Sequence, residues 1–306
     1  MVAFPGQCPD VSRNMHELLN SEGKIQVKIL RYRSNGQVAP GVLDQNGQIR
    51  CLRSKIDDVS PATIATLAQM SGDLNVDEIP VIPAHDGLAP PIGNIGKLVG
   101  IGLNYVDHAR ESGATPPEEP ITFLIATSAV TGPYDDVLLP PGSTKLDWEV
   151  ELGVVIGKCA RRVSEAEALS CVAGYTIVND ISERHFQLER GGQWTKGKSF
   201  DSFSPIGPWL VTPDEVGDPQ QLGMNLTVNG DRCQDGTTSD MIFSVQQIIS
   251  YVSHYMTFQP GDVICTGTPA GVGMGMKPPR YLGEGDVMRL EIDRLGHQEQ
   301  RVVAYN

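Results

Sequence analysis

The run DWEVELGVVIG sets two glutamates, Glu149 and Glu151, inside an apolar stretch, and this constrains the fold more than any other segment. In an extended strand alternate side chains share a face. Glu149 and Glu151 therefore point one way while Trp148, Val150 and Leu152 point the other. The apolar residues continue through Val154, Val155 and Ile156, which predicts a mostly buried strand. Like charges held side by side there repel and lose hydration, a penalty of about several kcal/mol unless a cation compensates. Asp180, in GYTIVNDIS, ends a second apolar run from Val172 to Val178 and would add a third carboxylate. All-oxygen ligation of this kind suits Mg2+ or Mn2+, with Ca2+ a further choice, and leaves positions for water or substrate. The competing reading puts Glu149 and Glu151 on the solvated face of an edge strand and makes Asp180 the cap of a helix near Ser182. Burial separates the two.

With 306 residues and 40% hydrophobic content, the chain can bury a large core, as one large domain or one large and one small. Against 37 acidic residues stand 24 Lys and Arg, a formal net charge of -13. That charge offers no footprint for nucleic acid or an anionic membrane and favours small-molecule partners. No apolar run approaches the roughly 20 residues that span a bilayer. The start, MVAFPGQCPDVSRNM, has neither a positive segment nor a sustained apolar one, so secretion is not expected. Six cysteines (Cys8, Cys51, Cys159, Cys171, Cys233, Cys265) are scattered without a CxxC, against both zinc and a disulfide framework. A reducing compartment fits, the cytoplasm first, with the mitochondrion left open.

Organisation changes near residue 92. Residues 1–24 read as an N-terminal extension with little periodicity, and 25–92 as a small α+β unit. Its short strands (Ile25 to Tyr32, Ala39 to Leu43, Gln48 to Leu52) are separated by turn signals at Ser34-Asn35-Gly36 and Asn46-Gly47. Helical character is expected over 61–76, then a Pro- and Gly-rich linker. From 93 to 306 strands dominate, at Lys97 to Gly102, Ile121 to Ile125, Val137 to Leu139, Glu149 to Ile156, Val172 to Asp180, Leu222 to Val228, Val263 to Thr266 and Val287 to Ile292. Short helices are expected at Tyr105 to Glu111, Ser164 to Ala168, Ser182 to Arg190 and Val245 to Tyr255. The class is α+β and β-rich, a β-sandwich or roll rather than alternating βα units.

Gly100 and Gly102 follow a strand, but position 105 is Tyr where a dinucleotide fingerprint needs Gly, and no P-loop occurs. In TGTPAGVGMG, Thr266 to Gly275, the glycines suit a tight loop approaching a ligand, or a plain turn. If GLNYVDHARE is helical from Tyr105, His108 and Glu111 share a face at i and i+3. The carboxylate could then orient the imidazole for proton transfer, although spacing alone equally describes a surface ion pair. Lys198, in WTKGKSFD, could face developing negative charge or simply decorate the surface. Arg184 and Gln187 follow Asp180 by four and seven residues, which on a helix would stack them as carboxylate binders or as solvated residues.

Taken in order, NYVDHARE, DWEVELGVVIG, VNDISERHFQ, QWTKGKSFDSFSPIGPW and TGTPAGVG resemble the fumarylacetoacetate hydrolase family, from about Lys97 onward. The resemblance implies a mixed β-sandwich roll, usually a homodimer, with a variable N-terminal domain. It implies that Glu149, Glu151 and Asp180 are metal ligands, that His108 and Glu111 form a catalytic dyad, and that Lys198 polarises the substrate. Arg184, Gln187 and Thr268 would contact a bound keto acid. GKSFDSFSPIGPW resembles members acting on sugar-derived 2,4-diketo acids or related aromatic-catabolic acids. The expected activity is metal-dependent hydrolysis of a carbon–carbon bond in a 2,4-diketo acid through a metal-stabilised enolate. Decarboxylation or tautomerisation of oxaloacetate, or isomerisation, is the alternative within the family, and a non-catalytic ligand-binding homologue the alternative outside it.

Overall fold

The computed structural model describes residues 28–70 and 74–305. The expected extension 1–24 lies outside them, as do residues 71–73 of the expected helical stretch 61–76, where a helix spans Ile64–Met70. Lys28–Ser34 pairs with Gln37–Leu43 in unbroken register, from Lys28 opposite Leu43 to Ser34 opposite Gln37. Between them Asn35 and Gly36 take φ of 52° and 74°, the paired left-handed conformation a two-residue hairpin turn requires. Ile49–Cys51 adds to the outer side of this hairpin. On its inner side, Lys28–Ser34 pairs antiparallel with Ser204–Val211. The division expected near residue 92 thus falls between segments that share one sheet.

That sheet has eleven strands among the described residues. Its path runs Ile49–Cys51, Gln37–Leu43, Lys28–Ser34, Ser204–Val211, Val172–Asn179, Val150–Ile156, Val263–Cys265, Leu98–Gly102, Ile121–Ile125. A five-stranded sheet follows the order Asp231–Thr237, Gly223–Val228, Val287–Ile292, Gly296–Ala304, Val137–Leu139. The two sheets pack where Val150–Ile156 and Val172–Asn179 meet Gly223–Val228 and Val287–Ile292. Leu152, Ile177, Leu226, Met288 and Leu290 lie in the resulting core, so the β-rich α+β sandwich is the observed architecture.

Three of the longer strands escape hydrophobic pattern reading. Ser204–Val211 contains Pro205 and Pro208, which demote a segment to an edge, yet it lies between two strands. Where the prolines interrupt pairing, Gln298 Nε2 donates to the carbonyls of Ile177, Pro205 and Gly207. Asp231–Thr237 and Gly296–Ala304 are polar in sequence and lack apolar alternation, although in the latter every second residue from Gln298 to Val302 is buried. The helix expected from Ser182 instead spans Arg184–Leu188. Ser182–Glu183 pairs with Leu146–Asp147, and the Glu183 side chain caps the helix by accepting the His185 N–H. Among the described residues no helix is long and apolar enough to cross a membrane, and the five described cysteines are free.

Candidate active site

Strand pairing builds the acidic cluster. Val150 lies opposite Asn179, and just beyond, the Asp180 N–H donates to the Glu149 carbonyl at 3.0 Å. The main chain therefore sets Asp180 beside Glu149 and Glu151, with one ligand atom of each within 4.8 Å of the others. Val150–Ile156 is flanked on both sides and buried along its whole length. Glu149, Glu151 and Asp180 are 4%, 2% and 1% exposed, which rules out the solvated edge.

Two cations enter this cluster from outside the strands. Lys198, on the short helix Thr195–Lys198, places Nζ 2.6 Å from Glu149 Oε2 and 2.7 Å from Asp180 Oδ2. Arg184 donates to Asp147 Oδ2 at 2.8 Å, to Glu149 Oε1 at 2.7 Å and to Gln187 Oε1 at 3.0 Å. Four buried carboxylates (Asp147, Glu149, Glu151, Asp180) thus face two buried cations, so that with all four ionised two negative charges would remain for one divalent cation to cancel. Asp180 Oδ1 is buried with no hydrogen-bond partner. That orphaned oxygen and the all-carboxylate donor set fit a hard divalent cation.

The carboxyls divide according to their neighbours. Burial raises Glu149, but Lys198, Arg184 and His108 outweigh it and hold the group at about 2. Burial, then the charges of Asp180 and Glu149, push Glu151 well above the usual carboxylate range. Asp180 rises to about 6, chiefly through burial, with Lys198 opposing and Glu149 adding to it. Burial lowers Lys198, yet Asp180 and Glu149 raise it further, so it is an ammonium.

The glycine-rich loop serves the same carboxylates. Gly267 N–H donates to Glu151 Oε2 at 2.8 Å and Gly273 N–H to Asp147 Oδ1 at 2.7 Å. Gly271 N–H donates to Glu111 Oε2 at 2.9 Å. His108 and Glu111 lie on the helix Val106–Glu111, as their spacing requires, with His108 Nδ1 2.9 Å from Glu111 Oε1. Because Glu111 already accepts backbone N–H groups, it is an acceptor toward the imidazole as well. In the neutral ring the proton would then sit on Nδ1, leaving Nε2 the lone pair. His108 is buried and Glu111 only slightly exposed, unlike a surface ion pair.

Of the expected substrate contacts, Arg184 and Gln187 are buried and bonded to each other, and Asp180 sits on the preceding strand end rather than on their helix. The Thr268 hydroxyl donates to the Val150 carbonyl at 2.9 Å and accepts from Gln234 Nε2 at 2.7 Å. Sequence reading passed over three residues that hold this arrangement. Asp147, in the same DWEVELG run, anchors Arg184 and the glycine loop. Asn179 and Gln234 bind the backbone of the glutamate strand. Only Asp147 had a legible signal, a charge beside an apolar run.

A mixed two-sheet fold with a buried acidic triad and an adjoining His–Glu pair defines a narrow class. Residues 97–303 match the family described as Fumarylacetoacetate (FAA) hydrolase C-terminal, and the chain belongs to this family. It is 54% identical over 277 residues to a 2,4-didehydro-3-deoxy-L-rhamnonate hydrolase of Sphingomonas sp. (strain SKA58), covering 90% of this chain and 96% of the relative. Among solved structures, the fumarylacetoacetate hydrolase of the psychrophile Exiguobacterium antarcticum superposes with a TM-score of 0.82 at 35% identity, covering 91% of this chain and all of that one. Fumarylpyruvate hydrolase from Pseudomonas aeruginosa, in complex with Mn2+ and pyruvate, superposes with a TM-score of 0.64 at 32% identity, covering 73% of this chain and 94% of its own.

Proposed function

We propose that this protein hydrolyses a carbon–carbon bond of a sugar-derived 2,4-diketo acid, of the class named for its Sphingomonas relative, with Mg2+ or Mn2+ held by Glu149, Glu151 and Asp180. The observation that carries the reading is the buried acidic triad with an orphaned Asp180 oxygen, beside the His108–Glu111 pair. The Mn2+ and pyruvate bound by the Pseudomonas relative support it. When bound, the cation would supply Lewis acidity toward the oxygens of the 2-keto acid.

The chain's own groups supply the rest. Lys198 and Arg184 keep Glu149 ionised and aimed into the site. Glu111, itself seated on Gly271 N–H, fixes the His108 ring with Nε2 as the base. His108 takes a proton from water as its oxygen bonds to C4 of the substrate. The C3–C4 bond then breaks, its electron pair passing to the three-carbon fragment. That fragment leaves as enolpyruvate and takes at C3 the proton held by His108 to become pyruvate, while C4 becomes the carboxylate of the second product. Turnover in oxygen-18 water should place label in that carboxylate. Efficient release of CO2 from oxaloacetate, with diketo acids left intact, would replace hydrolysis by the decarboxylase alternative.

Proton and cation should compete for the triad. An acid raised from 3.8 to about 6 contributes stability that is complete below its unfolded value and is lost as pH rises through the folded one. Through Asp180, the metal-free protein should therefore lose stability between about pH 4 and 6. Divalent cations bind the ionised form, so the rise in melting temperature they cause should be larger above about pH 6 than near pH 5. Thermal melts with and without Mn2+ across this range provide the check, and an equal rise at both ends counts against the cation site.

A further inference from the structure

The ladder between Val150–Ile156 and Val263–Cys265 ends where Gly153 faces Cys265. Beyond it, toward the glutamates, backbone groups that a neighbouring strand would have paired are met by side chains. Val150 N–H donates to Gln234 Oε1 at 3.0 Å, and the Val150 carbonyl accepts from Thr268 Oγ1 at 2.9 Å. Gln234 Nε2 closes the ring by donating to Thr268 Oγ1 at 2.7 Å and also holds the Pro269 carbonyl at 2.8 Å. One residue earlier, Glu149 N–H donates to Asn179 Oδ1 at 3.2 Å, and Asn179 Nδ2 donates to Gln300 Oε1 at 3.0 Å. Both glutamines stand on the five-stranded sheet. Two consecutive peptide groups of the ligand-bearing segment are therefore tied across the sandwich to the opposite sheet.

The strand that carries Gln234 is shaped to deliver it. Leu226 lies opposite Gln234 and Thr227 opposite Arg232, so Cys233 is an extra, unpaired residue. Such a bulge redirects the adjoining side chains, and Gln234 is the one buried residue of Asp231–Thr237. The glycine loop is pressed against the same bulge. Gly271 has φ of +105°, and a Cβ there would lie 2.0 Å from the Cys233 carbonyl oxygen.

We propose that Gln234 is a positioning residue for the cation site, fixing the Val150 peptide from which Glu149 and Glu151 project and, through Thr268 and Pro269, registering the glycine loop against it. This rests on reading Glu149, Glu151 and Asp180 as that site. Val150 stands between the two glutamates, so a tilt of its peptide changes the separation and angle of their carboxylates. Groups of this kind, one bond removed from the ligands, typically change metal affinity or activity by about 10- to 100-fold when lost.

The test is a Mn2+ titration, with free Mn2+ read by electron spin resonance, of wild type, Gln234→Met, Gln234→Asn and Leu290→Ala, alongside the melting temperature of each metal-free protein. Methionine keeps the length and removes every hydrogen bond, whereas asparagine keeps the amide one methylene too short to span from Val150 to Pro269. Leu290, buried in the same sheet, reports the effect of lost packing alone. Gln234→Met should weaken Mn2+ binding by about 10-fold or more, while Leu290→Ala melts lower with wild-type affinity. Should Gln234→Met fail to fold, Gln234→Asn decides by the same criterion. A lowered melting temperature with unchanged Mn2+ affinity makes Gln234 structural only and overturns the proposal. Absence of Mn2+ binding in the wild type overturns the cation reading itself.

Discussion

Asp180→Ala is expected to reduce turnover on the order of 10^3-fold, the scale set by loss of a charge-stabilising element in a buried site. It should also abolish the thermal stabilisation by Mg2+ or Mn2+. At about 100 times its dissociation constant, a cation should stabilise the wild type by about 3 kcal/mol, or roughly 5 °C for a chain of this size. The variant should still fold. Lys198 keeps Glu149 as its partner at 2.6 Å, so no buried ammonium is stranded, and removal of Asp180 relieves its repulsion of Glu151. The metal-free variant should therefore melt no lower than the metal-free wild type. Thermal melts in chelator and in Mn2+, with kinetics on the same preparations, measure both effects. A variant that keeps its Mn2+ shift and its rate would remove Asp180 from the site.

His108→Ala is expected to lower kcat by about 100-fold or more, the usual consequence of losing a general base. Mn2+ affinity should hardly change. The helix survives the loss because Gly271 and Val272 N–H groups still hold Glu111. Any cation-assisted loss of CO2 from oxaloacetate should suffer much less than cleavage of a diketo acid, since it uses no attacking water. Equal losses in both reactions would return His108 to a general structural role, and wild-type turnover would make the pair an ordinary buried contact.

Local features made part of this site legible. Strand alternation put Glu149 and Glu151 on one face, and the end of an apolar run marked Asp180. The spacing of His108 and Glu111 matched a helix turn, and each of these relations spans only a few residues. Lys198 and Arg184 were visible as candidates, but their partners were not. Lys198 bridges Asp180 and Glu149 from 18 and 49 residues away, and Arg184 reaches Asp147 across 37. Strand Ser204–Val211 was hidden by its prolines, and the strand bearing Gln234 by its polarity.

The sequence alone determined most of the buried strands, where acid groups break into them, and the net charge of -13, because apolarity, period and charge are properties of neighbouring residues. Tertiary structure alone decided that the acids are shielded, which cations partner them, and that glutamines of the opposite sheet stand in for missing ladder bonds. A buried polar group can be satisfied by any partner within about 3 Å. When that partner lies on another sheet, only the fold brings the two together.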